Sequence, residues 1–318
     1  MQSHDIAPTE DSVLSVLGGM PVEEAARRAG TSPVLLTFAV QRYQAGGRAV
    51  LELQPAGWYQ VNVQFADYAT AAATFHTYLL PFLSEDIIGA WWFLRKHPYW
   101  RLRIQPAAGT LAGLVVTRVA QCLDSAVSWG VVREWRPTLY EPETIAFGGL
   151  DGMVTAHRLF HTDSEGVLAY SHVVAAGAHG LLDAKATSLL VLTLFLRAAG
   201  LEWGEQGDVW GQVEARRALP PDVPPERVST MVVPMRTLLS LDAWPALADG
   251  PLTSLREWVS GMENGGRVLK DAAHDCRLTL GLRSILARHI LFHWNRMGFN
   301  IRQQAIWSRA AREAILGQ

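Results

Sequence analysis

Cysteine is scarce: 318 residues hold two, Cys122 and Cys276, far apart and without CxxC spacing. That excludes a disulfide framework and a cysteine-built zinc cluster, and it suits a reducing cytoplasm. Net charge is slight, −2 from 28 basic and 30 acidic residues, so no overall field marks the chain for nucleic acid or anionic lipid. The richest apolar run, around Leu189 to Leu196, is too short to span a bilayer. The opening MQSHDIAPTEDS is polar and partly acidic, unlike a signal or transit peptide, and no internal repeat or low-complexity tract is found. What is present is 49% apolar and 18% charged residues, enough for an ample core in a chain longer than one core usually supports. The expectation is a soluble, cytoplasmic protein with a large domain and a smaller one.

The smaller unit is expected at 1–55. Helical patterns over 10–18, from Pro21 to Gly30 and over 32–44, followed by an expected strand in GGRAVLELQ, outline a winged helix-turn-helix. Its charge speaks against DNA: residues 1–55 carry four arginines, six carboxylates and no lysine, whereas a duplex reader needs several phosphate contacts. A docking role for a peptide strand is the better use of such a unit.

Residues 56–318 read as a second domain. WYQVNVQF (58–65) alternates as a half-buried strand, a helix is expected from Asp67 to Leu83, and two strands follow in WWFLRKHPYWRLR (91–103). A helix at 111–126 and a strand near 131–135 complete the β part. After Gly148 the pattern is helical, broken by the four prolines of LPPDVPPERV. The fold class is α+β: a mainly antiparallel sheet, then a largely helical C-terminal half.

Three clusters could carry chemistry. Strand alternation sends Trp100, Leu102 and Ile104 to one face and Tyr99, Arg101 and Arg103 to the other, where the guanidinium groups face either water or a cavity that takes a carboxylate or amide oxygen. In GMVTAHRLFHTDSEGVLAY, His157 and His161 lie one helical turn apart. HRLFH lacks the glutamate of HExxH and has no obvious third ligand, so hydrogen bonding or acid–base work suits these rings better than zinc; a plain helix surface suits them too. Thr162 to Glu165 has capping-box spacing, which places Ser164 at an expected helix start, with Tyr170 further along. In FHWNRMGF, His293, Asn295 and Arg296 sit among apolar neighbours and need partners such as Glu141 or Glu143, in a structural network or in a site.

Taken in order, WYQVNVQF, WWFLRKHPYWRLR, YEPE followed by FGG, GMVTAHRLFHTDS and FHWNR resemble the stand-alone members of the lantibiotic dehydratase C-terminal family, also labelled thiopeptide-type bacteriocin biosynthesis proteins. The segment GMPVEEAARRAGTSPVLLTFAVQRYQAGGRA resembles the N-terminal extension of such proteins. The resemblance implies an enzyme acting on a ribosomally made, leader-bearing precursor peptide. It would either eliminate glutamate from glutamylated serine or threonine, or join two dehydroalanines in a formal aza-[4+2] cycloaddition that makes a pyridine and expels water and the leader. Elimination domains look for an arginine in the RLR strand, another before the glycine turn and a histidine four residues before Asn-Arg. Arg101 and Arg103 match the first, but the other two positions hold Ala146 and Leu291.

That departure favours the pyridine synthase, a lyase/cyclase, with glutamate elimination as runner-up and a non-catalytic leader-binding scaffold or regulator third. Tyr170, Ser164 and His157 are the expected catalytic donors. Arg101, Arg103, Trp100, Glu141, His161, His293, Asn295 and Arg296 are expected to bind the peptide. The resemblance implies no metal, nucleotide or redox cofactor. The expected partners are the precursor peptide and other enzymes of its pathway, with no nucleic acid and no membrane.

Overall fold

The structure is a computed structural model that describes residues 9–52, 57–177 and 180–317. The chain divides into two compact units, Met1–Ala56 and Gly57–Gln318. The expected boundary between 55 and 56 lies outside the described residues.

In the first unit, α1 (Glu10–Leu17) is capped by Thr9, whose side chain accepts the Ser12 N–H, and α2 (Val22–Ala29) stops at Gly30 in the left-handed region (φ 66°), where a side chain would be strained. Val13, Ala25, Ala26, Leu36 and Val40 form its core. The expected wing strand is corrected. α3 runs from Pro33 through to Glu52, so 46–52 continue a helix. Extending an existing helix avoids the nucleation cost, which outweighs the two glycines. Leu53 and Gln54, the end of the expected strand, lie outside the described residues.

The second unit opens with β1 (Tyr59–Phe65), then α4 (Ala71–Thr74), a π-helical turn (Phe75–Leu79) and α5 (Leu80–Leu83). β2 (Ile88–Lys96), β3 (Tyr99–Pro106), α6 (Ala112–Ser128) and β4 (Val132–Thr138) follow. The helix expected from Asp67 begins at Ala71, and Asp67 accepts the Ala69 N–H in a turn before it. The sheet is antiparallel throughout, in the order β2-β3-β1-β4, which makes a split β-α-β arrangement. One face is dry. Phe75 from the π turn packs against Trp91, Phe93 and Trp100, and Val115, Val119 and Leu123 of α6 are buried in the same core. The other face carries Gln60, Asn62, Arg101 and Arg103, joined in register: Gln60 opposite Arg103, Asn62 opposite Arg101.

Helices make up the rest: α7 (Leu150–Ala175), α8 (Ala184–Ala198), α9 (Trp203–Arg216), α10 (Pro225–Ser240), α11 (Trp244–Asp249), α12 (Arg256–His274), α13 (Leu282–Met297) and α14 (Ile301–Leu316). The apolar run of the sequence is α8, with Leu189 to Leu196 all buried at its centre. α7 lies along β2, an edge strand whose outward backbone groups would otherwise lack partners. The Phe93 N–H donates to Ser164 Oγ (3.2 Å), Arg296 Nε donates to Phe93 O (3.1 Å), and His161 Nδ1 lies 2.9 Å from Trp91 O. Side chains of α7 and α13 thus close the edge. No described helix is long and apolar enough to cross a membrane.

Candidate active site

Arg103 is the centre of a cavity of about 500 Å³ on the polar sheet face. It is only 5% exposed. Its Nε donates to Gln60 Oε1 (2.6 Å) and Nη1 to Arg101 O (3.3 Å), while the guanidinium stacks 4.1 Å from the Trp92 ring and 5.4 Å from Tyr140. Gln60 is itself fixed, donating to Thr138 Oγ1 (2.7 Å) and Leu139 O (3.0 Å). The cation is therefore held by neutral dipoles and rings, with no carboxylate partner among the described residues. Burial lowers its pKa to about 9, so it stays charged at neutrality. The Nη2 group makes no hydrogen bond among the described residues.

Beside it, the Tyr140 hydroxyl and His157 Nε2 share a 2.7 Å hydrogen bond. Burial, then the charge of Arg103, pushes His157 down to about 4, and burial raises Tyr140 above the ordinary phenol value. Both are neutral at pH 7, so the pair can pass a proton without carrying charge into the cavity at rest. Trp92, Phe147, Phe160, Leu291 and Phe292 supply an apolar wall. The mouth is cationic. Lys96, Arg101, Arg216, Arg217 and Arg288 line it with Glu141 and Glu143, and among the described residues Glu143 makes an ion pair with Arg288 alone (3.7 Å). Burial and the neighbouring Arg288 lower the pKa of Arg216 and of Arg217, the mark of like charges held together.

The structure brings Arg101, Arg103, Glu141 and Asn295 to this cavity, with His157 behind Tyr140. It takes the other expected residues elsewhere. Trp100 is buried on the opposite face, stacked on Phe93, and the ring beside Arg103 is Trp92. His161 serves the β2 edge. Ser164 is not at a helix start: Thr162 to Glu165 fall in the middle of α7, which runs on because nothing in HRLFHTDSEGVL breaks it. Ser164 Oγ is fully buried and donates to Phe160 O (2.7 Å). Tyr170 donates to Leu182 O (3.0 Å) and lines a different cavity.

His293 and Arg296 meet Asp163 in a sealed network. Asp163 Oδ1 accepts from Trp258 Nε1 (3.0 Å) and His293 Nδ1 (2.8 Å), and Oδ2 pairs with Arg296. The partners proposed for them from sequence, Glu141 and Glu143, line the cavity instead. The residues missed were Trp92, Lys96, Tyr140, Arg216, Arg217 and Arg288. Tyr140 stands in the quoted YEPE motif; the distant arginines gave no local signal. No group of described residues forms a metal-binding cluster.

The description "Lantibiotic biosynthesis dehydratase C-term" matches residues 58–315. The chain belongs to the lantibiotic dehydratase C-terminal family. Family membership puts it in the biosynthesis of ribosomally made, post-translationally modified peptides. Three solved structures share the fold at 16% identity. The tRNA-dependent lantibiotic dehydratase MibB from Microbispora sp. 107891 aligns over 83% of this chain with a TM-score of 0.63, and this chain spans 28% of its length. TsrL aligns over 80% of this chain and 94% of its own, with a TM-score of 0.52. TbtD, the pyridine synthase from thiomuracin biosynthesis, aligns over 81% and 97%, with a TM-score of 0.53. No curated protein matches.

Proposed function

We propose that the chain closes a pyridine ring in a dehydrated precursor peptide by a formal aza-[4+2] cycloaddition. The observation that carries this reading is the lining beside Arg103: hydrogen-bond donors over an apolar wall, with Leu291 where an elimination domain is expected to place a histidine and no histidine among the lining residues. Proton abstraction from carbon asks for a positioned base, whereas a cycloaddition asks first for two alkenes held face to face. In the imidic acid form, the amide before one dehydroalanine becomes the 2-azadiene C(OH)=N–C=CH2. Its two terminal carbons bond to the alkene carbons of the second dehydroalanine. Arg103 donates to the amide oxygen and favours that form. Tyr140, backed by His157, gives a proton to the departing hydroxyl, lost as water, and takes one back from a ring CH2. It then does the same at the departing nitrogen, lost as the leader carboxamide, taking the second proton from the other ring CH2, so that the phenol is restored after each loss. Both losses aromatise the ring.

The cationic mouth favours a second reading. Lys96, Arg101, Arg216, Arg217 and Arg288 would hold the free carboxylate of a glutamylated serine or threonine, and the reaction would be glutamate elimination. The test is mass spectrometry after incubation with a bis-dehydroalanine precursor and, separately, a glutamylated one. Loss of one water and of the leader carboxamide from the first is the expected result. Release of glutamic acid from the second, with the first unchanged, would replace cycloaddition by elimination. A leader-binding scaffold changes neither mass.

A further inference from the structure

The strand that carries this site serves a second cavity on its other face. Alternation along Phe93-Leu94-Arg95-Lys96 sends Leu94 and Lys96 to the Arg103 cavity and Arg95 to the opposite side. There a cavity of about 780 Å³ lies between the α4–π turn segment, the C-terminal turns of α7, the start of α8 and Met297 at the end of α13. It is larger than the Arg103 cavity, and the proposed chemistry does not use it.

Its charged group is an arginine without a counter-ion. Among the described residues Arg95 makes no salt bridge and no hydrogen bond, and its Nε is buried without a partner. The guanidinium lies 4.6 Å over the Trp100 ring and close against Gly298, where an added Cβ would meet Nη1 at 2.9 Å. Gly298, in the left-handed region at φ 84°, ends α13 and leaves the room the guanidinium occupies. The one carboxylate on the wall, Asp183, is committed elsewhere: it caps α8 by accepting the Ala186 N–H (2.7 Å). Arg95 is half-buried with its Nε shut off from solvent, and a cation so placed normally finds an anion, so the missing partner points to a ligand.

Two imidazoles face the same space. His76 and His172 stack with ring centroids 3.9 Å apart and planes 5° from parallel. Parallel rings direct their nitrogens along separate planes, which does not suit joint capture of a metal ion but leaves N–H donors at the ring edges. His76 reaches this position because it sits in the π-helical turn, an irregularity that recurs at functional sites. Beside the hydroxyls of Thr70, Tyr170 and Ser171, the remaining wall is mostly apolar and built largely from small side chains, Ala69, Ala72, Ala73 and Ala184 among them, which leave the volume to the ligand's own side chains.

We propose that this cavity binds a segment of the peptide substrate in which a carboxylate side chain is flanked by apolar residues, the carboxylate on Arg95 and the apolar groups on the alanine wall. The occupant rests on the peptide-substrate reading above; the carboxylate site does not. The segment is distinct from the reacting residues, since the two cavities lie on opposite faces of β2.

The probes are an acetylated, amidated pentapeptide with glutamate between two leucines, its glutamine counterpart, and octanoate. Binding is followed by calorimetry and by the NMR signals of His76, His172 and the Met297 methyl. The glutamate peptide should bind about tenfold more tightly than the glutamine one, the size of one charge-assisted contact. Arg95→Gln should erase that preference. Ala73→Leu, at an exposed helical position where folding is not at stake, should weaken both peptides by filling the cavity. Equal affinity for the two peptides, or an unchanged preference in Arg95→Gln, overturns the proposal. Octanoate binding that depends on Arg95, without peptide binding, rejects the peptide as occupant. Turnover is read separately. A peptide preference that persists in a protein inactive on both precursors defeats the proposed reaction and leaves this site standing.

Discussion

Two regions of the large unit concentrate polar and titratable groups, and they differ in charge balance and access. In the sealed network, Asp163, His293 and Ser188 have the spacing of a hydrolytic triad, with His293 Nε2 2.8 Å from Ser188 Oγ. Each is 1% exposed, and Ser188 also accepts the Trp294 indole N–H (3.1 Å). No substrate reaches it. Its carboxylate is matched by Arg296, and its hydrogen bonds tie α7, α8, α12 and α13 to β2. In the open cavity, six basic side chains face two carboxylates, and Arg103 has no acidic partner among the described residues. Triad distances alone do not make a site; an uncompensated charge beside an opening makes a better candidate.

The largest effect should come from unbalancing the network. Asp163→Ala strands Arg296 in the core, and breaking a buried pair from one side costs about 3–5 kcal/mol. Urea unfolding should show that loss, and Asp163→Leu combined with Arg296→Met should recover a large part of it. A stability near wild type in Asp163→Ala would mean that the network is not the clamp described here. In the cavity, Arg103→Lys keeps the charge but loses the planar fork that Gln60 positions. It should lower kcat/KM by about 10²-fold, the scale of a lost oxyanion donor, with a far smaller change in urea midpoint. A variant that unfolds but retains its specific rate would assign Arg103 to structure.

Part of this contrast was legible in the sequence. Alternation in YWRLRI separated the arginines from Trp100 by face, and the proline-rich break and the order of sheet and helices held. The register that puts Trp92 beside Arg103 depends on pairing between β2 and β3, which local pattern does not specify. Asp163 was hidden inside the Thr162 to Glu165 stretch, whose spacing alone has the signature of a capping box. The residues that redefine it, Trp258, His293 and Arg296, lie 95, 130 and 133 positions away. Arg216, Arg217 and Arg288 were silent for a similar reason: each alone reads as a solvated helix position.

Acid should separate the regions more gently. The pairing with His293 and Arg296 overcomes burial and holds Asp163 at about 2, so its stabilising contribution is complete above ~4 and is lost only as pH falls towards 2. His157 and His289 are lowered to about 4 and about 3, chiefly by burial. Neutral in the fold, they contribute fully above ~6.5 and lose that contribution as pH falls from there. Melting temperature should therefore decline first between pH 6.5 and 4, and His157→Gln should flatten that limb while leaving the later, Asp163-linked fall in place. An unchanged first limb would mean that His157 is solvated.

The smallest effects test residues that lie outside the Arg103 cavity. Ser164→Ala removes the acceptor of the buried Phe93 N–H, and an unsatisfied buried donor costs about 1–3 kcal/mol. Tyr170→Phe removes one hydrogen bond, to Leu182 O, worth about 1 kcal/mol, and leaves the ring's packing in place. Neither side chain lines the Arg103 cavity, so ring closure by either variant should proceed within about twofold of the wild-type rate at a temperature where both are folded. Tyr170 does line the Arg95 cavity, which gives the pair a sharper use. If Tyr170→Phe slows turnover of a full precursor while Ser164→Ala does not, and the loss appears in KM rather than kcat, the Arg95 cavity holds part of the substrate. A loss in kcat for either variant would instead return a donor role to α7 and move the chemistry away from Arg103.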